Sequence, residues 1–147
     1  MVKKQSQNSK SKVYYDSGKI EIEGTIQNEK AVGLWTYWYE NGQKEKSGQC
    51  YDFFINSNIP KPIGMWTYWY ENGRKEKEGR FSTESDSLMG GTKEGDWTYW
   101  DENGIKTYLN SYEKKGIIVT NYHKNGIISS KGREIYYTPS GDRKSVV

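Results

Sequence analysis

One cysteine and one histidine, Cys50 and His123, are all that this chain of 147 residues has of the side chains most used for nucleophilic and metal chemistry. A single cysteine excludes an internal disulfide. A catalytic triad, a Cys–His pair or a zinc site needs more of these residues, or a particular meeting of these two. Cys50 therefore reads as a small half-buried thiol and His123 as a surface side chain beside a turn. The Gly-rich stretch Gly90-Gly91-Thr92-Lys93 has the wrong length for a phosphate loop. Asp96, Asp101 and Glu102 are carboxylates of the kind that pair in glycoside hydrolysis, but nothing in the pattern implies a pocket around them. No enzymatic activity, cofactor or metal is expected.

Long apolar runs are missing as well. No stretch approaches the length of a membrane-spanning helix, and the N-terminal lysines are not followed by the apolar segment of a secretory signal, so a cytoplasmic location is expected. Residues 1–12 hold four lysines and no aromatic residue, which predicts a flexible basic tail ahead of one repeat domain over 13–147. Without those lysines the balance is 18 basic against 19 acidic residues, a net charge of −1. Charges of both signs interleave, as in Lys44-Glu45-Lys46, rather than forming the basic stripe of a nucleic-acid binder, so no nucleic-acid partner is expected.

What the chain has in abundance is a repeat. Gly33-Leu-Trp-Thr-Tyr-Trp-Tyr-Glu-Asn-Gly42 recurs almost unchanged at 64–73 and 95–104, a period of 31 residues. Each copy runs aromatic and β-branched residues into Asn-Gly, the signature of a two-residue type I′ hairpin turn. Such a turn sets Tyr39 opposite Lys44, Trp38 opposite Glu45, Tyr37 opposite Lys46 and Trp35 opposite Gly48. One face then carries Trp35, Tyr37, Tyr39, Lys44 and Lys46, and the other Thr36, Trp38, Glu45 and Ser47. The second copy places Trp66, Tyr68, Tyr70, Lys75 and Lys77 against Thr67, Trp69, Glu76 and Glu78. Lys44 and Lys75 are expected over tyrosines as cation–π partners.

Leu, Ile and Val are scarce in these strands, so the fold class expected is all-β: an elongated, single-layer antiparallel sheet of tandem hairpins, held by rings stacked between neighbours instead of a thick aliphatic core. Degenerate hairpins are expected around Ser17-Gly18, Asn125-Gly126 and Ser140-Gly141. The stretches 49–63 and 80–94 supply extra loop or strand between the central units. In the first of them Tyr51, Phe53, Phe54 and Ile55 form an apolar group expected to fold back over an aromatic face, with exposure to a partner as the alternative.

The string Gly-x-Trp-x-Tyr-Trp-Tyr-Glu-Asn-Gly with its short charged sequel resembles the second variant of the MORN repeat, as found in the YwqK-type antitoxin family. The resemblance is good over 33–48, 64–79 and 95–108 and loose over 13–24 and 121–144. It implies successive hairpins in one layer and, for antitoxin-like members, neutralisation of a toxin or effector protein. A non-catalytic, immunity-like role toward a protein partner is the first expectation. The candidate contact residues are Trp35, Tyr37, Trp38, Tyr39, Phe53, Phe54, Trp66, Tyr68, Trp69, Tyr70, Trp97, Tyr99 and Trp100. Binding to anionic membrane lipid through the lysine tail, and glycan binding on the aromatic ladder, are the alternatives. The open edges of such a sheet leave the oligomeric state undetermined.

Overall fold

The structure, a computed structural model, describes residues 8–54, 61–83, 91–113 and 116–134, with backbone alone at 52–54, 116 and 134. Ten strands follow one another: β1 (Asn8–Tyr14), β2 (Ile20–Gln27), β3 (Lys30–Trp38), β4 (Lys44–Phe54), β5 (Pro62–Trp69), β6 (Lys75–Phe81), β7 (Lys93–Trp100), β8 (Lys106–Glu113), β9 (Gly116–Tyr122) and β10 (Ile128–Glu134). They lie side by side in chain order as one open antiparallel sheet. Among the described residues no helix is long and apolar enough to cross a membrane.

Of the tail expected over residues 1–12, the part from Asn8 onward is instead in β1, which pairs Asn8 with Gln27, Lys10 with Thr25 and Lys12 with Glu23; residues 1–7 lie outside the described residues. A segment without aromatic residues, here 8–12, is still held when its neighbour offers a continuous ladder of backbone partners. The expected hairpin around Gly141 lies outside the described residues.

Five hairpin tips point to one edge, and none is the type I′ turn expected from Asn-Gly. The Gly42 N–H donates to the Tyr39 carbonyl at 2.9 Å and the Tyr39 N–H to the Gln43 carbonyl at 2.8 Å. Gly42 alone takes a positive φ, +87°. This is a type I turn closed by a left-handed glycine, the usual three-residue hairpin loop. Asn41 keeps a negative φ, and its Oδ1 accepts the Gln43 N–H at 2.8 Å. The same backbone pair recurs at Tyr15/Gly18, Tyr70/Gly73, Asp101/Gly104 and His123/Gly126. A true two-residue turn with both φ angles positive does occur, at Asn28-Glu29 (+50° and +64°) between β2 and β3.

The three-residue loop is compensated one step into each hairpin by a register shift, between Tyr37 and Trp38 in β3 and likewise at Tyr68/Trp69 and Tyr99/Trp100. Tyr37 still pairs with Lys46 and Trp35 with Gly48, as expected, but Trp38 pairs with Lys44 instead of Glu45. Lys44 and Lys75 thus leave the tyrosine face and join the Trp38 and Trp69 face.

On the tyrosine face two rows cross the strands. One runs Trp35–Gly48–Trp66–Gly79, the next Tyr37–Lys46–Tyr68–Lys77–Tyr99–Tyr108. Glycine alternates with tryptophan because each indole lies flat on a bare backbone. A Cβ at Gly24 would fall 2.2 Å from the Trp35 ring, at Gly48 2.3 Å from Trp66, and at Gly79 2.2 Å from Trp97. Seated this way in a single layer, Trp35, Trp66 and Trp97 are only 6, 3 and 0% exposed. Ala31 and Cys50 are buried with Trp35 and Trp66, and Ile22, Ile26, Tyr37, Tyr68 and Phe81 pack around them. Each indole, removing ~150–250 Å² of ring surface from water at ~25 cal/mol per Å², contributes at most about 4–6 kcal/mol. That exceeds any single polar contact in the sheet, so the Trp–Gly row is what holds neighbouring hairpins together.

Candidate functional site

The aromatic residues singled out in the sequence divide between two faces with different fates. Trp35, Trp66 and Trp97 are consumed by packing. The Trp66 ring meets Phe81 edge-on at 6.4 Å, and Phe81 meets Trp97 at 4.9 Å. Trp66 Nε1 donates to the Gln49 carbonyl and Trp97 Nε1 to the Arg80 carbonyl, both at 3.0 Å.

Tyr37, Tyr68 and Tyr99 are half-buried beside them, each under an ammonium group. Lys46 Nζ lies 4.4 Å from the Tyr37 ring centre and Lys77 Nζ 4.7 Å from that of Tyr68. Lys93 Nζ stands among Trp97, Tyr99 and Tyr112 at 4.2, 5.6 and 5.5 Å. Burial, with smaller help from Cys50 and Glu45, pushes the Tyr37 phenol up to about 12, and burial followed by Glu76 does the same for Tyr68. Tyr99 is raised by burial and by its hydrogen bond with Tyr112. The tyrosine face is a half-buried, cation-covered surface of neutral phenols.

Tyr39 and Tyr70 stand at the tips. Tyr39 donates its hydroxyl to the Trp69 carbonyl and Tyr70 to that of Trp100, both at 2.8 Å; Tyr15 does the same to Trp38 at 2.5 Å. Burial, reinforced by tip and strand carboxylates, raises the pKa of both Tyr39 and Tyr70. Cys50 is fully buried rather than half-buried, and burial lifts its thiol to about 12. His123 is exposed. Among the described residues no group of His, Cys, Asp or Glu is arranged to hold a metal.

Phe53 and Phe54 extend β4, opposite Ala31 and Lys30. Their side chains, and the whole of Ile55, lie outside the described residues. Tyr51, of the same apolar group, is 64% exposed, so for this residue the expected fold-back is corrected. It extends strand β4, whose neighbours leave its ring uncovered.

The opposite face is the open one. Along β3 it presents Leu34, Thr36 and Trp38, and along β5 Met65, Thr67 and Trp69, with Leu34 58% and Met65 52% exposed. Near the tips Trp38, Trp69 and Trp100 are half-buried, and lysines stand between them. Lys44 Nζ is 5.8 Å from the ring centres of both Trp38 and Trp69, Lys75 Nζ 5.6 Å from Trp100, and Lys106 Nζ 4.3 Å from Tyr122. The result is a row of alternating indole and ammonium groups. Part of it is an open groove of about 320 Å³ lined by Trp38, Gly42, Gln43, Lys44, Trp69 and Gly73.

Sequence reasoning put Lys44 and Lys75 on the wrong face and did not single out Lys106. The signal was present as Gly-x-Lys at 42–44, 73–75 and 104–106, but the register shift that turns these lysines over is invisible without backbone pairing.

Residues 7–28 and 31–52 match the family model described as MORN repeat variant. These segments are the hairpins β1–β2 and β3–β4. MORN repeats are commonly binding repeats, and the proteins that carry them are generally non-catalytic binding modules. No curated protein and no solved structure matches the chain. By its matched segments and its strand order, the chain is similar to proteins built from tandem MORN-variant hairpins.

Proposed function

We propose that this is a non-catalytic protein-binding repeat protein, antitoxin- or immunity-like, that covers a protein partner with the Leu34–Trp38–Met65–Trp69 face of its sheet. The observation supporting this reading is the asymmetry between the faces. One spends its tryptophans on Gly24, Gly48 and Gly79, while the other keeps half-buried indoles, exposed Leu34 and Met65, and lysines at a regular interval. Partly exposed tryptophan framed by charged groups is the composition of interaction hot spots. A sheet whose hairpins are fixed to one another by seated indoles presents that surface at little ordering cost on binding.

The test is co-purification from the native host, and rescue of growth on co-expression with a neighbouring toxin gene. The wild-type chain is compared with the double variant Leu34→Arg/Met65→Arg, whose substitutions fall on exposed positions. A stoichiometric partner retained by the wild type and lost by the folded variant supports the reading. No stoichiometric partner, or one held equally by both, sinks it.

A further inference from the structure

Resting on the protein-binding reading, we infer that the indole–lysine row is a seat for an extended acidic segment of the partner, in a polyproline-II conformation with a carboxylate at every third residue. Lys44, Lys75 and Lys106 stand at equivalent places in β4, β6 and β8, two strands apart. At the ordinary strand spacing their backbone positions repeat about every 10 Å. A polyproline-II chain has three residues per turn and rises ~3.1 Å per residue, so side chains on one of its edges repeat about every 9 Å. An extended β chain repeats its same-face side chains about every 7 Å and drifts out of step with the lysines. Tryptophan-lined grooves are also the usual seats of proline rings, and Trp38 and Trp69 wall the groove around Lys44.

The charges favour an acidic occupant. Glu45 and Glu76, next in sequence to Lys44 and Lys75, are engaged by Lys46 and Lys77 at 3.4 and 3.2 Å. Within the row only Lys75 has a carboxylate of its own, Glu78 at 2.6 Å. Among the described residues Lys44 and Lys106 touch rings and no carboxylate. Exposed Glu40, Glu71 and Glu102 occupy the turns, which repels an acidic chain from the tips and confines it to the strand side of the row.

The experiment titrates the full chain against fluorescent synthetic peptides of equal total charge, one built of Glu-Pro-Pro triplets and one of alternating Glu-Pro, and against a single-stranded oligothymidine. The triplet peptide is expected to bind about tenfold or more tightly than the alternating one. The double variant Lys44→Gln/Lys106→Gln should weaken it about tenfold or more, whereas Lys93→Gln, which removes an ammonium group from the rings of the other face, should leave it unchanged. Equal affinity for both spacings, indifference to the Lys44/Lys106 pair, or tighter binding of the oligonucleotide overturns the inference. So does the failure of every acidic peptide to bind. In that last case the broader protein-binding reading still stands or falls on the Leu34/Met65 comparison, so the two failures are distinguishable.

Discussion

The side-chain amide of Asn41 donates to the backbone carbonyl of Glu71 at 2.8 Å, joining two hairpin tips thirty residues apart in the chain. Asn72 repeats the bond to Glu102 at 3.0 Å. Together with the Tyr39 and Tyr70 hydroxyls, these bonds stitch each tip to the next. Tyr-Glu-Asn-Gly is therefore an inter-repeat motif as much as a turn motif. The stitch ends at the fourth tip, where Asp101 stands in place of the tyrosine and turns its Oδ1 inward to the Asn103 and Ile105 N–H groups, both at 2.9 Å.

Asn72→Ala removes both the intra-turn bond to the Arg74 N–H and the stitch to Glu102, and should cost about 1–2 kcal/mol. Asn72→Asp keeps the acceptor and loses the donor, so it should fall between alanine and wild type. Denaturant melts of the three proteins check the order; equal stability of all three would mean the stitch contributes nothing.

Gly79→Ala drives a methyl group into the Trp97 indole, with three ring atoms within 2.5 Å. Overpacking of this kind costs about 1–3 kcal/mol. Gly132→Ala in β10 meets nothing within 4 Å and should change stability by less than about 0.5 kcal/mol. Thermal unfolding followed by tryptophan fluorescence separates the two.

Alkaline pH should unfold the sheet through its phenols. Tyr37 and Tyr68 titrate at about 12 in the folded chain against 10.0 for the free side chain. A folded pKa raised above the unfolded one means the stabilisation is fully present below pH 10 and is lost as pH climbs from 10 to 12. The melting temperature should fall across that window. In Tyr37→Phe/Tyr68→Phe, part of the late-appearing tyrosinate absorbance should vanish and the fall should be shallower.

Cys50, buried and with its thiol raised to about 12, should resist a thiol-specific reagent at neutral pH in the native chain, because the thiolate is the reactive form. Its labelling rate should rise in step with the unfolded fraction as denaturant is added. Fast labelling without denaturant would mean that the core around Trp35 and Trp66 opens locally.

The hairpins, their order and the reliance on rings were legible because a 31-residue period and strand-like aromatic alternation are local patterns. Three things were not. Asn-Gly permits either a type I′ turn or a type I turn closed by glycine, and all five tips take the second, Ser17-Gly18 among them. The face of Lys44 depended on a register shift that adds a residue without any mark in the letters. Gly24, Gly48 and Gly79 carry no local mark of their role, although each is the floor under an indole from the following hairpin.

The sequence by itself determined that this chain is a row of hairpins with tryptophan at fixed places, since turn chemistry and side-chain alternation act over a few residues. Only the tertiary structure decided which tryptophans are spent on cohesion and which remain at the surface. That division depends on what lies across the strand: glycine lets one indole sink against the backbone, while the bulge beside each tip lifts a lysine between the others.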